Sequence, residues 1–237
     1  MWIKICANTN LDDALLSVEL GADALGFVFA PSTRKITAEQ VAAITSRLPA
    51  TVEKIGVFST QDSVEIASTI RAAGLTGAQL HSSYNPDLIA ALASEFPGLR
   101  LIQTIHWNVA SSESGAEAAT SQSAKPEIVA KLEMAALSQL KANEQISAVL
   151  VDSRTATASG GTGVAFDWKA AQRNLAALAP KSLIVAGGLN PENVQQAIAV
   201  LHPWGVDVAS GVETIPGRKD PSRLKSFLSN ARKTIRQ

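Results

Sequence analysis

Cysteine occurs once in the 237 residues, at Cys6, which excludes an internal disulfide framework and a cysteine-rich zinc site. A lone thiol suits a reducing compartment, so we expect a cytoplasmic protein. Charge is also scarce: charged residues make up 18% of the chain, and 21 basic side chains balance 21 acidic ones. That balance argues against a nucleic-acid partner. Apolar runs are far too short to span a membrane, and the N-terminal segment has no signal-peptide pattern, so we expect no membrane partner.

Short apolar runs, rich in β-branched residues, alternate with longer segments of helical period. The runs are continuous rather than alternating, which is typical of parallel strands covered on both faces. Eight such units of about 30 residues predict an α/β fold, a single (β/α)8 TIM barrel over residues 1–237 with a parallel eight-stranded core. The competing open sheet lacks its dinucleotide fingerprint, because Gly161-Thr162-Gly163 is not followed by the third glycine. The predicted strands are 3–6, 24–29, 54–58, 77–80, 99–105, 148–151, 182–186 and 206–209.

Glycine and asparagine mark several predicted helix ends. Gly21, Gly74 and Gly205 stand where a left-handed residue would stop or separate a helix. Asn190-Pro191 predicts a cap followed by proline at the first helical position.

Residues 108–126 interrupt the pattern after strand five. They are rich in Ser, Ala, Glu and Gln and have no apolar period. We favour a mobile inserted loop here, with an active-site lid as the alternative.

Polar side chains follow several predicted strands at their C-terminal ends, where this fold places its active sites. Cys6 ends strand one, Arg34 follows strand two, His81 ends strand four and Asp152 ends strand six, while Asp207 lies inside strand eight. Because the strand ends converge, we expect these groups to share one pocket.

Two of these residues fit proton transfer. A lone cysteine such as Cys6 is often only a small buried hydrophobe, but the positive end of the helix beginning near Asn10 would favour a thiolate. Asp152 directly follows an apolar strand, where desolvation can keep a carboxyl protonated. A thiolate and a protonated carboxyl on opposite sides of one pocket would form an acid/base pair.

Glycine pairs in the last two loops indicate a phosphate site. Gly187-Gly188 follows strand seven and Ser210-Gly211 follows strand eight, the two loops that bind phosphate in many barrels of this kind. Backbone N–H groups without side chains can approach an anion closely, although ordinary turn chemistry would also use glycine. A further cluster, Gly160–Gly163, could wrap the same phosphate or form a flap.

A series of short motifs, each weak alone, is specific in its order. The series is Lys4-Ile5-Cys6, Gly21-Ala22-Asp23, Gly26-Phe27-Val28-Phe29, Ser32-Thr33-Arg34, Gly56-Val57-Phe58, Gln79-Leu80-His81, Val151-Asp152-Ser153, Gly160-Gly161-Thr162-Gly163, Ala186-Gly187-Gly188-Leu189, Asn190-Pro191-Glu192-Asn193-Val194, Gly205-Val206-Asp207-Val208-Ala209-Ser210-Gly211-Val212-Glu213, Pro216-Gly217 and Lys219-Asp220. In this order the motifs resemble those of the phosphoribosylanthranilate isomerase family of tryptophan biosynthesis.

The resemblance implies a TIM-barrel enzyme that rearranges N-(5'-phosphoribosyl)anthranilate to 1-(2-carboxyphenylamino)-1-deoxyribulose 5-phosphate. It implies Asp152 as general acid, Cys6 as general base, Arg34 at the anthranilate end, and His81 and Asp207 lining the pocket. Proton shifts of this kind need no metal and no redox cofactor, and the partner is a small phosphorylated substrate bound by a monomer or homodimer. The phosphate is expected at Gly187, Gly188, Ser210 and Gly211.

The chain departs from the family pattern at three positions. Ala7 and Ser82 stand where the family usually has glycine, and Thr33 stands where it usually has proline. None of the three removes a proposed catalytic group, but Ala7 adds a methyl beside the proposed base and could alter its loop.

Other phosphosugar barrels remain alternatives. Indole-glycerol-phosphate synthase would need lysines at strand ends, whereas Lys4 is internal to its strand. The related histidine-pathway isomerase would need aspartate where Cys6 stands. A non-catalytic phosphate-binding relic would have lost Cys6 or Asp152, and both are present.

Overall fold

Eight parallel strands close into a barrel in the computed structural model, which describes residues 1–108, 138–154, 172, 175 and 178–233. Each strand pairs with the next along the chain, and the eighth pairs back with the first. The predicted (β/α)8 barrel is therefore confirmed. The strands are β1 (Trp2–Ile5), β2 (Ala24–Val28), β3 (Glu53–Phe58), β4 (Gly77–Leu80), β5 (Arg100–Asn108), β6 (Ala148–Arg154), β7 (Ser182–Ala186) and β8 (Gly205–Val208).

Helices pack on the outer face of this barrel. Residues 138–142 are helical as well, and a short hairpin of β9 (Glu213–Ile215) and β10 (Arg218–Lys219) follows β8. Within the described part of the chain, no helix is both long and apolar enough to cross a membrane. The helices are α1 (Leu11–Glu19), α2 (Ala38–Thr45), α3 (Ser63–Ala73), α4 (Pro86–Glu95), α5 (Val194–Leu201) and α6 (Pro221–Lys233).

Two separate sets of apolar side chains form the core. The outer set joins strand residues to helix residues such as Leu92 and Phe227. The inner set comes from strands alone and fills the barrel axis with Trp2, Ala24, Ile55, Ile102, Ala148, Leu150, Ile184 and Ala186. Because side chains alternate along a strand, positions two residues beyond these also point toward the axis. This alternation decides which polar residues reach the mouth of the barrel.

Side-chain caps fix the helices at the mouth. Asn10, Thr37, Asp62 and Asn85 each accept a hydrogen bond from a first-turn N–H, at the starts of α1, α2, α3 and α4. Each cap removes an unpaired N–H and is worth about 1 kcal/mol. Each loop between a strand and the helix that follows it is thereby fixed at the point where the helix begins.

The predicted left-handed stops are correct at two of three positions. Gly21 and Gly74 have φ of 95° and 62°. Gly205 is different, because it begins β8 and lies against Trp2: a Cβ there would come within 2.9 Å of the indole ring. His202, with φ of 46°, ends α5 in its place. The glycine at 205 is explained by packing rather than by helix termination.

The predicted helix start at Asn190-Pro191 is wrong, since α5 begins at Val194. The Asn190 side chain accepts hydrogen bonds from the N–H groups of Glu192 and Asn193, at 3.0 Å each. Asn190 therefore caps a turn at residues 191–193, and the helix follows that turn.

Strands five and six extend further than predicted. β5 continues to Asn108 and β6 continues two residues past Asp152, to Arg154. Residues 109–126 and the cluster Gly160–Gly163 lie outside the described residues. The inserted loop therefore stays a prediction, and so does the single-domain organisation.

Candidate active site

Four predicted side chains meet at one end of the barrel. His81 follows β4, and its Nε2 lies 4.0 Å from Oδ2 of Asp152 on β6. Asp207 on β8 is close enough to Asp152 and to Cys6 for their charges to interact. The strand ends thus place a thiol, an imidazole and two carboxyls around one opening, as the sequence predicted.

Lys4 lies directly beneath this opening and is fully buried. Its Nζ donates hydrogen bonds of 2.9 Å to Oδ1 of Asp207 and of 2.9 Å to Oε1 of Gln79. Although burial by itself lowers the pKa of Lys4, its interactions with Asp207 and Cys6 raise it overall. Lys4 therefore supplies a fixed positive charge inside the barrel.

The thiol of Cys6 contacts Lys4, and the absence of a side chain at Gly26 leaves room for it. Cys6 is 7% exposed. A Cβ at position 26 would lie 2.7 Å from Sγ of Cys6 and 2.9 Å from Cε of Lys4. Any side chain on Gly26 would therefore displace both groups, so a glycine is required on the neighbouring strand.

Burial opposes ionisation of the Cys6 thiol in the free protein. Burial raises the pKa of Cys6, Lys4 lowers it, Asp207 raises it again, and the net direction is upward. The expectation that the helix N-terminus favours a thiolate is therefore not met. A nearby partial charge cannot compensate for removing the whole side chain from water.

Opposing effects also act on the pKa of Asp207. Burial raises the pKa of its carboxyl, Lys4 opposes that rise, and the charge of Asp152 reinforces it. The 2.9 Å ion pair with Lys4 makes the ionised form possible in a site that is otherwise shielded from water. Asp207 therefore acts with Lys4 as a unit below the opening.

Ala7 adopts a backbone conformation that favours glycine. Its φ is 61° and it is 1% exposed. For a residue with a side chain this conformation costs about 1–2 kcal/mol. The loop after Cys6 thus has a glycine-like conformation despite the methyl.

Arg34 lies at the rim and is held by Glu213. Its Nε and one terminal nitrogen donate to both carboxylate oxygens of Glu213, at 2.7–3.1 Å. Glu213 also accepts from Nζ of Lys219 at 3.2 Å, and that Nζ donates to the backbone carbonyl of Cys6. An ionic chain therefore connects the predicted anthranilate-binding arginine to the loop of the proposed base.

The loops after β7 and β8, where a phosphate site was predicted, lie beside one cavity. Gly187 and Gly188 have φ values of 80° and 67°, in the left-handed region that favours glycine. Asn193 fixes this loop by donating from Nδ2 to the carbonyl of Gly188, at 2.9 Å. Gly188, Ser210 and Gly211 line one cavity of about 290 Å³, whereas Gly187 precedes it in the loop without lining it.

Arg223 adds a positive charge to this cavity. It lies in the first turn of α6, lines the cavity and donates a hydrogen bond from Nη1 to the carbonyl of Glu213 at 3.1 Å. Gly211 closes the other side, where a Cβ would collide with the backbone of Leu189. A cation beside several backbone N–H groups is the chemistry that binds phosphate.

Sequence reasoning missed Lys4, Gln79, Glu213 and Arg223. Lys4 and Gln79 precede Cys6 and His81 by two residues, so the alternation of strand faces could have placed them on the axis. His106, whose ring lies against that of His81, fell outside the predicted strand five, because that strand was predicted to end at Ile105 whereas β5 continues to Asn108. Glu213 and Arg223 lie after the barrel strands, and a sequence pattern gives no sign that they fold back over the mouth.

Comparisons with known proteins give a consistent result. A family model described as N-(5'phosphoribosyl)anthranilate (PRA) isomerase matches residues 3–122 and 98–230. The N-(5'-phosphoribosyl)anthranilate isomerase of Pelobacter propionicus is 37% identical over 98% of this chain and 96% of its own length. That of Thermotoga maritima is 35% identical over 97% of this chain and 98% of its own length.

Solved structures agree with these matches. The crystal structure of phosphoribosyl anthranilate isomerase from Thermotoga maritima has a TM-score of 0.78 at 34% identity, covering 98% of this chain and 99% of that one. A phosphoribosyl anthranilate isomerase in complex with reduced 1-(o-carboxyphenylamino)-1-deoxyribulose 5-phosphate has a TM-score of 0.75 at 33% identity, with the same coverage. The 3-hexulose-6-phosphate synthase of Salmonella typhimurium, at 14% identity and a TM-score of 0.65, shares the fold.

Replacing Glu213 by Gln should destabilise the protein in a pH-dependent way. Burial raises the pKa of Glu213, but the hydrogen bond from Arg34 and the charges of Lys219 and Arg34 lower it overall. A carboxyl with a depressed folded-state pKa stabilises the fold above its unfolded value, near 4.3, and loses that contribution as the pH falls through the folded value. We expect Glu213→Gln to cost about 3–5 kcal/mol of unfolding free energy at pH 7.

Urea unfolding at several pH values measures this difference. The gap between the parent and Glu213→Gln should narrow as the pH drops below about 4.3. The exposed Glu144→Gln serves as the matched control and should leave stability unchanged. A gap that stays constant from pH 7 to pH 3 would show that the charge of Glu213 does not carry the effect.

Proposed function

This chain belongs to the N-(5'-phosphoribosyl)anthranilate isomerase family, and we propose that it carries out the family's isomerisation with Asp152 as general acid and Cys6 as general base. The observation that carries the proposal is their placement around one barrel mouth, directly beside the glycine loops after β7 and β8. The family match favours this reaction over those of the two rival phosphosugar barrels.

The substrate spans the mouth from the phosphate cavity to the rim. Its phosphate lies on the backbone N–H groups around Gly188 and Gly211, with the hydroxyl of Ser210 and the guanidinium of Arg223 beside them. Gly187 gives the loop the left-handed turn that aims these groups. This arrangement fixes the ribose between Cys6 and Asp152.

The anthranilate carboxylate meets Arg34 at the other end. Glu213 occupies Nε and one terminal nitrogen of the guanidinium, and the remaining terminal nitrogen can donate to a carboxylate. Because Glu213 fixes the plane of the guanidinium, Arg34 is preorganised for its ligand. His81 lines the wall beside Asp152.

The reaction begins with ring opening. As general acid, Asp152 gives a proton to the ribose ring oxygen while the amine lone pair forms a C=N bond and the C1'–O bond breaks. The Schiff base then acidifies the proton on C2'. The thiolate form of Cys6, which Lys4 and Lys219 favour, removes that proton to give an enolamine, which tautomerises to the aminoketone. The rearrangement is internal to the substrate and involves no net oxidation or reduction, so acid–base groups can carry it without a redox partner or a metal.

The surroundings of Cys6 regulate its role as base. Lys4 and Lys219 favour its thiolate, whereas burial and Asp207 oppose it. The ion pair between Lys4 and Asp207 therefore sets how readily the thiol gives up its proton. Asp207 and Lys4 act as positioning residues beneath the reacting carbon.

The oligomeric state and the cellular location of the protein are also part of the proposal. We infer a cytoplasmic monomer or homodimer that takes a small phosphorylated substrate, in line with the lone thiol. A related structure, at 31% identity, describes monomers derived from a dimeric phosphoribosylanthranilate isomerase of Thermotoga maritima.

Removing either proton-transferring group should abolish most turnover. Positioned acid–base catalysis contributes roughly 10²–10⁴-fold, so we expect Asp152→Asn and Cys6→Ser each to lose that much kcat. The loss of anthranilate-linked fluorescence with fresh substrate measures the rate, and circular dichroism verifies the fold. Near-parental kcat in Asp152→Asn would refute the acid assignment.

Removing the charge of Arg223 should weaken phosphate binding specifically. A hydrogen bond to a charged group is worth about 1.5–3 kcal/mol, so Arg223→Gln should raise the Kd for ribose 5-phosphate by roughly 10–150-fold. Arg218→Gln, an exposed arginine on the adjacent hairpin, is the matched control and should bind as the parent does. Equal binding by both variants would move the phosphate site away from this cavity.

A further inference from the structure

Three metal-ligating side chains meet at the mouth on neighbouring strands. His106 and Asp152 are direct partners in the β5–β6 register, and His81 follows the adjacent β4. The two imidazole rings lie edge to face with centroids 4.5 Å apart. One ligand atom from each of the three residues lies within 4.8 Å of the others.

This geometry fits a divalent ion after a small movement. Two ligand atoms on one Zn²⁺ lie about 3.4 Å apart at bond lengths near 2.1 Å. Nε2 of His81 and Oδ2 of Asp152 are 4.0 Å apart, so this pair must close by roughly 0.6 Å. His106 is exposed, and its ring lies beside that of His81. The backbone of the barrel need not change.

The donor set selects the kind of ion. Two imidazoles and one carboxylate suit Zn²⁺ and related transition metals, whereas Mg²⁺ prefers oxygen ligands and retains its water. Three protein ligands leave a coordination position open for water or for a ligand in the pocket. The reaction itself has no step that needs such an ion.

We propose that His81, His106 and Asp152 form a Zn²⁺-binding site at the barrel mouth, and that Zn²⁺ bound there inhibits the enzyme reversibly. A carboxylate that coordinates Zn²⁺ cannot deliver a proton to the ribose ring oxygen. The ion also occupies the wall along which the ribose must lie. The inhibition rests on the proposed role of Asp152, whereas the binding does not.

Zinc binding and zinc inhibition are measured separately on the full chain. Protein treated with EDTA is titrated with Zn²⁺ by calorimetry, and turnover is followed at the same Zn²⁺ concentrations by fluorescence. We expect binding and inhibition over the same concentration range, reversal of the inhibition by EDTA, and no inhibition by equal Mg²⁺.

His106→Asn tests the site because His106 takes no part in the proposed catalysis. Loss of groups that merely support a metal ligand costs about 10–100-fold in affinity, so loss of a ligand should raise both the Kd and the half-inhibiting concentration at least about tenfold. Activity without metal should remain at the parental level. His106→Ala provides the same comparison if the first variant folds poorly.

His202→Asn is the matched control. His202 is exposed at the end of α5, and its left-handed φ of 46° is one that asparagine tolerates. This variant should bind Zn²⁺ and be inhibited as the parent is. Cys6→Ser should also retain zinc affinity, which distinguishes the site from simple capture of the thiol.

Zinc binding at this site and inhibition through Asp152 can each be contradicted without the other. An unchanged Kd for Zn²⁺ in His106→Asn, or its loss in Cys6→Ser, would overturn the site. Full turnover by zinc-saturated parent protein, with binding still dependent on His106, would leave the site standing and overturn the role of Asp152 as general acid.

Discussion

The buried ion pair between Lys4 and Asp207 is the constraint on which the site depends. Lys4 lies opposite Asp207 in the β1–β8 register, at the seam where the first and last strands close the barrel. Its second hydrogen bond reaches across the axis to Gln79 on β4. A fully buried ammonium is costly unless it is paired and hydrogen-bonded, so these three strands must keep this register. The next inward-facing positions along two of them are Cys6 and His81.

This polar layer also determines the charge state of the mouth. One lysine faces two groups that can become negative, Asp207 and Cys6, in a region largely shielded from water. Asp207 forms the ion pair with Lys4, and burial raises the pKa of the Cys6 thiol. Formation of the Cys6 thiolate therefore depends on stabilisation of its negative charge by Lys4 and Lys219. The electrostatic cost of the thiolate is thus set by residues below the pocket rather than by the substrate alone.

Local patterns of residues were enough to predict the fold and to place several side chains of the candidate site at the barrel mouth. Continuous apolar runs marked the strands, and polar residues at their ends marked Cys6, His81 and Asp152. Packing across the barrel was not visible in the sequence: Gly26 is required because Cys6 and Lys4 approach it from β1, and Gly205 because of Trp2. Glu213 and Arg223 were missed for a similar reason, since their contacts join residues that are distant along the chain. His106 depended on the exact length of a strand, which is the least certain feature of a sequence pattern.

The central claim is that Asp152 opens the ribose ring and Cys6 then takes the proton from C2'. Turnover of substrate carrying deuterium at C2' tests this division most directly. In Cys6→Ser the proton abstraction becomes slowest, so kcat should show a primary isotope effect. In Asp152→Asn ring opening becomes slowest, and the isotope effect should disappear. An isotope effect in Asp152→Asn with none in Cys6→Ser would contradict the account.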